Sequence, residues 1–326
     1  MNRRLFLHIG YPKTGTTTLQ QYLFPYHSDL IDISSAVKSL NFIKELHHCR
    51  EQTFLRNLLI NKQRFTEQLD IQAGIHILSE ESLLSYSMFF QNDPSPQVYT
   101  SDPASTARKL QYLFLKSGLF DEVKIVITIR RQADLLKSMY AQLYNNTFKH
   151  YPQTKNFSKY VNYVLDKDPD GFMLDTLYFQ DITELYIDQF GEGHVKVLVF
   201  EQLRTDPNRF IQTLAEFLGI DVTQAIDLLE NKKTNAKSSS QGYRSDTRSL
   251  MDQLTIYKQR FLGDRSWNIS NWSVIDRLRA VEVPGKILHD ISLSARDENR
   301  LADLFQSSNR SLSEKHQLNL KEYGYF

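Results

Sequence analysis

The segment His8-Ile9-Gly10-Tyr11-Pro12-Lys13-Thr14-Gly15-Thr16-Thr17-Thr18-Leu19 constrains this chain more than any other. Before it, Leu5 to Ile9 is a short apolar run without polar alternation, the pattern of a strand buried on both faces. After it, Leu19, Tyr22 and Leu23 recur at helical spacing, so the chain opens as strand, loop and helix. Gly10 and Gly15 let backbone approach a ligand closely. The amides of Thr14, Gly15, Thr16 and Thr17, with the positive end of the helix dipole, would face an anion. Lys13 adds a point charge, and the hydroxyls of Thr16 and Thr17 add neutral donors. Such a loop cradles a phosphate. It is not the magnesium-nucleotide loop G-x-x-x-x-G-K-[ST], which needs lysine where this chain has Thr16. A magnesium-nucleotide reading also lacks its metal ligand, because the third strand described below ends in Arg130 and not in a carboxylate.

Three more apolar runs read as strands: Gly74 to Leu78, Val123 to Ile129 and Val195 to Phe200. Between and after them, helical patterns cover Ser105 to Lys116, Gln132 to Asn145, a stretch from Asp206-Pro207 to Leu218 that Gly219 stops, and Asp297 to Lys315. Strands alternating with helices imply a three-layer α/β fold around a parallel sheet, with ligands at the carboxyl ends of the strands. A length of 326 residues with 41% apolar content fits one large domain, read here as 1–326 with a mostly helical part from about 231. The 39 basic and 38 acidic residues nearly cancel, to +1, so nucleic acid is not an expected partner and any anion is held locally. One cysteine, Cys49, excludes a disulfide framework and a thiolate metal cluster. No apolar run is long enough to span a membrane, and the sequence reads as a soluble, cytoplasmic protein.

The run Pro12, Lys13, Thr14, Gly15, Thr16, Thr17 and Leu19 resembles the 5′-phosphosulfate loop of the sulfotransferases that use 3′-phosphoadenosine 5′-phosphosulfate (PAPS). In that family a strand-end arginine, and a serine eight residues on in the next helix, hold the cofactor's 3′-phosphate. Here Ile127-Thr128-Ile129-Arg130 leads to Ser138, with Arg131 as the alternative if the register slips by one. The family usually has proline two residues after the arginine; this chain has Gln132. Val195 to Ile220 is similar to the family's late strand and helix, with Phe200 and Glu201 at its Tyr-Glu. The resemblance implies a P-loop-like sulfotransferase fold, PAPS as co-substrate and no metal.

Sulfuryl transfer to a hydroxyl needs a base near Lys13. The turn after the second strand is Ser79-Glu80-Glu81-Ser82, where Glu81 resembles the S-x-E pattern of the family's bacterial members and is the first expectation, with Glu80 second. His76, within that strand, and His8 read as structural. A polar, basic stretch from Asn231 to Arg248 is expected to be a long loop, which the resemblance suggests closes over the cofactor through Lys237 and Arg244. A glutamate base and the likeness to bacterial members imply a glycan, a glycolipid or another hydroxyl as acceptor. Two rival readings stay open, a P-loop nucleotide kinase or NTPase and a non-catalytic nucleotide-binding module of the same fold.

Overall fold

The structure is a computed structural model. It describes residues 2–40, 42–69, 71–84, 102–144, 148, 152, 154–167, 172–230, 243–244, 248–249, 282–283, 287–288 and 291–326. Contacts divide the chain into two compact units, one of residues 1–135, 164–235 and 295–326, the other of 136–163 and 236–294.

The first unit holds a five-stranded sheet: β1 (Arg3–His8), β2 (Leu30–Asp32), β3 (Gly74–Ser79), β4 (Glu122–Ile129) and β5 (Val195–Val199). The spatial order is β2-β3-β1-β4-β5 and every pair is parallel. β1 is central, and its last residue, His8, lies opposite Ser79 of β3 and Val126 of β4. The three carboxyl ends therefore lie side by side, and the turns holding Gly10, Glu81 and Arg130 leave from one rim. Chain connections run to both sides of β1, the place where open α/β sheets bind ligands.

All four expected strands are present. β2 is an additional strand, a half-buried three-residue edge too short to carry a sequence pattern. The last strand stops one residue before the expected Phe200. The ladder ends at Ile129 with Val199, and Phe200, left without a ladder partner, starts the helix Phe200–Thr205.

Side-chain alternation along the strands explains how both faces are covered. Phe6, Ile75, Ile77, Val126 and Leu198 join Leu19, Leu23, Phe210, Leu214 and Leu218 in one buried cluster, which places the first helix, Thr16–Thr18 continued by Leu19–Leu23, and the helix Pro207–Leu218 on that face. β4 and β5 also meet the helix Phe179–Phe190, and β4 meets the π-helical stretch Gln111–Lys116 that continues the helix Pro103–Leu110. Pro103 occupies the first turn of that helix and the Asp102 carboxylate accepts from the Ala104 N–H, which sets its start. No helix among the described residues is long and apolar enough to cross a membrane.

The second unit contains an aromatic cluster in which the Tyr140 ring stacks on Phe148 at 5.3 Å and also meets Phe157 and Tyr160. It also holds two short antiparallel ladders, Tyr243–Arg244 with Ile287–Leu288 and Arg248–Ser249 with Glu282–Val283. The stretch from Asn231 to Arg248 is thus not loop throughout. Strand partners some forty residues downstream hold Tyr243, Arg244 and Arg248, and a local reading of polarity cannot see them. The rest of that stretch, Lys237 included, lies outside the described residues. Of the part expected to be mostly helical, the described residues show these ladders and the helix Ala295–Lys315.

Candidate active site

The loop after β1 keeps the sheet's hydrogen bonding for three more residues. Ile9 and Tyr11 N–H donate to the carbonyls of Val126 and Thr128, both at 3.0 Å. The loop then turns through two left-handed residues, Lys13 at φ 65° and Gly15 at φ 82°. Left-handed residues flanking Thr14 give the backbone pattern that turns successive N–H groups toward one point, an anion-binding concavity. A Cβ on Gly15 would lie 2.6 Å from Leu203 Cδ2, so glycine is needed there for space as well as for its φ. Gly10 is nearly as confined, since a Cβ there would lie 3.0 Å from Thr128 Cβ and 3.2 Å from His8 Nε2. Lys13 adopts the same kind of backbone without being glycine, at a cost of about 1–3 kcal/mol, the sort of strain that clusters at ligand sites.

The loop hydroxyls divide their work. Thr14 Oγ1 donates to the Tyr11 carbonyl at 2.5 Å and closes the loop on itself, which leaves only its amide for a ligand. Thr16 is buried and its hydroxyl donates to Glu81 Oε1, whereas Thr17 is exposed. Tyr11 is fully buried, its hydroxyl donates to the Thr176 carbonyl and its ring meets Phe179 edge-on at 4.9 Å. Together these contacts anchor the loop from below.

The two glutamates after β3 differ in role. Glu80 Oε1 accepts from Ser82 N at 3.2 Å and Ser82 Oγ at 2.6 Å, while its other oxygen pairs with Lys38 at 3.2 Å. It closes its own turn. Glu81 instead meets the phosphate loop at Thr16. Burial pushes its carboxyl up to about 7, the Lys13 charge acting against that rise and the neighbouring Glu80 adding to it. A carboxyl near neutrality can both hold and release a proton at working pH.

Arg130 reaches the same loop from β4. Its Nη1 donates to the Lys13 carbonyl at 3.0 Å, and its guanidinium lies over the Phe200 ring, 4.9 Å from the centroid. Arg131 is engaged elsewhere, its Nε on the Asp134 carboxylate at 2.7 Å. Lys13, Thr16, Glu81 and Arg130 thus converge in the first unit. Ser138 is buried in the helix Gln132–Leu143 and belongs to the second unit, as does Arg244 in its short ladder. Gln132 does not break the start of that helix: its amide donates to the Leu177 carbonyl at 3.2 Å and to Asn309 Oδ1 at 2.9 Å.

His8 is buried between the strand ends. Its Nδ1 meets Ser79 Oγ at 2.7 Å and its Nε2 meets Thr128 Oγ1 at 2.8 Å, so one imidazole ties β3 to β4 across β1. Burial lowers it to about 4 and keeps it neutral. Gln20 Nε2 extends this chain to Ser79 Oγ at 3.0 Å. His76 is buried against Phe120 at 5.3 Å. Gln20, Glu201 and the packing of Phe200 against Arg130 are features of this region that three dimensions add to the sequence pattern. A polar side chain one turn into the helix was the available signal for Gln20.

The residues suit a nucleotide with separated anionic groups. The left-handed turn at Lys13 and Gly15 offers backbone N–H groups and the lysine charge, the ring-backed Arg130 guanidinium reaches the same loop from β4, and the Glu81 carboxyl of raised pKa feels the lysine charge. A family model described as "sulfotransferase domain" matches residues 4–263. No curated protein sequence matches the chain at a significant level. Among solved structures, a sulfotransferase from Alicyclobacillus acidocaldarius is similar in fold, at 15% identity and TM-score 0.52, over 99% of each chain. A mouse sulfotransferase, SULT7A1, solved in complex with PAP, matches at 14% identity and TM-score 0.44, over 99% of this chain and 89% of that one. With the family model spanning both the phosphate loop and the Arg130 strand, the chain belongs to the sulfotransferase family, enzymes that take their sulfuryl group from PAPS.

Proposed function

We propose that this enzyme moves the sulfuryl group of PAPS onto an acceptor hydroxyl, on a carbohydrate or glycolipid. The observation that carries the reading is Glu81, a half-buried carboxyl raised to about 7, in contact with the loop after β1 at Thr16 and under the charge of Lys13. In this reading Lys13 and the N–H groups of Thr14, Gly15, Thr16 and Thr17 hold the 5′-phosphosulfate. Arg130 holds the 3′-phosphate, with Phe200 packing it in place, and the family resemblance assigns Ser138 to that same phosphate. No metal takes part.

Glu81 accepts the proton of the acceptor hydroxyl as that oxygen forms its bond to sulfur. The bond between sulfur and the bridging oxygen breaks, and its electron pair stays on the 5′-phosphate. Lys13 and the loop amides stabilise the charge that develops there. Thr16 orients Glu81 through the hydroxyl it donates. Glu80 is the alternative base, and its engagement by Ser82 and Lys38 favours Glu81 over it.

The family match crosses both units, which supports reading the chain as one sulfotransferase domain. A single free cysteine fits a reducing, cytoplasmic setting. Titration calorimetry with adenosine 3′,5′-bisphosphate and with ATP, each with and without magnesium, tests the donor site. Metal-independent preference for the bisphosphate is expected, and magnesium-dependent ATP preference would overturn the reading. Labelled PAPS offered with glycans, glycolipids and phenols tests the acceptor; transfer to phenols alone would overturn the carbohydrate assignment, and transfer to none would favour a binding module.

A further inference from the structure

The Arg130 end of the site borders a carboxylate that neither the reaction nor nucleotide binding uses. Glu201 follows Phe200, the ring under Arg130, and a negative charge so placed would compete with an incoming phosphate for the guanidinium. Both of its oxygens have donors. Oε1 accepts from the Arg131 main-chain N–H at 3.0 Å and Oε2 from the Tyr325 hydroxyl at 2.8 Å. Tyr325 is itself fixed in place: it is 2% exposed, its carbonyl accepts from Asn309 Nδ2 at 3.0 Å, and its ring meets Phe179 at 6.4 Å. Asn309 and Gln132 exchange amide hydrogen bonds of 2.9 and 3.2 Å, which ties this anchor to the start of the helix after Arg130. The Arg130 charge acts on the Tyr325 hydroxyl, so the phenol lies within electrostatic reach of both the arginine and the glutamate.

We propose that Tyr325 is a positioning residue for nucleotide recognition: with the Arg131 amide it occupies both oxygens of Glu201 and keeps that carboxylate from pairing with Arg130. The inference rests on the reading that Arg130 takes the 3′-phosphate. Removing the hydroxyl leaves Glu201 Oε2 short of a donor; the Arg131 guanidinium is held by Asp134, and the Arg130 guanidinium, whose charge acts on that same hydroxyl, is the cation left to answer it. The carboxylate then holds the arginine that the phosphate needs.

The test compares the affinities for adenosine 3′,5′-bisphosphate and adenosine 5′-phosphate by titration calorimetry. Tyr325→Phe should reduce the preference for the bisphosphate about tenfold, with 5′-phosphate binding unchanged. Tyr325→Phe combined with Glu201→Gln should restore the preference, because the neutral amide does not compete for a cation. A purely structural role for Tyr325 would not be rescued in this way. Glu201→Gln alone should keep or raise the preference, and a loss there would overturn the proposal even if Tyr325→Phe failed to fold. An unchanged preference in Tyr325→Phe, or an equal loss for both ligands without rescue, would also overturn it. Arg130→Ala separates the two levels. If that variant keeps the preference, the 3′-phosphate reading itself fails; if it loses the preference while Tyr325→Phe keeps it, only the role of Tyr325 falls.

Discussion

The two ends of the site are built differently. At the β1 end, nearly everything that shapes the pocket lies within ten residues: Tyr11 caps the loop from below, Thr14 closes it, and Lys13 and Gly15 turn it. From farther along the chain come Glu81, in the turn after the neighbouring strand, and the supports Leu203, Thr128 and Thr176. At the β4 end, Arg130 is shaped by partners scattered through the chain. Glu201 binds the Arg131 amide across 70 residues, Tyr325 binds Glu201 across 124, and Asn309 meets Gln132 across 177. One end is a local backbone conformation and the other a tertiary assembly.

The largest test of this contrast is Glu81→Gln, which should lower turnover by roughly 10²–10⁴ while nucleotide binding stays nearly unchanged. Single-turnover kinetics beside calorimetry would show it, and an unaffected rate would move the base role away from Glu81. Arg130→Ala should cost about 2–5 kcal/mol in affinity for adenosine 3′,5′-bisphosphate and far less for adenosine 5′-phosphate. Equal losses for the two ligands would mean that the β4 end has no separate ligand group. Gly15→Ala should cost about 1–3 kcal/mol of stability through backbone strain, more if Leu203 cannot move, and should weaken both nucleotides alike. Melting curves with both titrations would check this.

The smallest effect is one of pH. Glu81 is raised to about 7 from an ordinary carboxyl value of 4.5, so the folded protein holds its proton more tightly than the unfolded chain. The stability this contributes is fully present below about pH 4.5 and is lost as pH rises through about 7. Denaturant melts of the ligand-free protein should therefore show Glu81→Gln gaining on the wild type by on the order of 1–3 kcal/mol between those limits. A difference independent of pH would refute the burial of this carboxyl.

The same contrast explains what could be read from the sequence. The phosphate loop was legible because a strand, two glycines and a helix start within one short segment leave few alternatives. The four apolar strands were legible because burial on both faces leaves unbroken runs. Arg130 could be found through the family resemblance, as a strand-end arginine eight residues before a serine, but its ring partner could not, since Phe200 looked like the last residue of a strand. Glu201, Asn309 and Tyr325 carry no local signal: each is a common residue made important by a partner far along the chain. The choice between Glu80 and Glu81 also needed three dimensions, because Lys38 and Ser82 engage one and Thr16 the other.

His8, which joins β3 to β4 beneath the loop, has a consequence for acid tolerance. Its folded value of about 4 lies below the ordinary 6.5, so the stability it adds is complete above about pH 6.5 and drains away as pH falls through 4. This runs opposite to Glu81, and over mildly acidic solutions the two slopes offset each other into a plateau. Below that plateau the imidazole must charge inside the sheet, and the rim that spaces all three turns loosens at once. An inert crossbar, and no group that handles sulfate, thus adds to the loss of stability in acid.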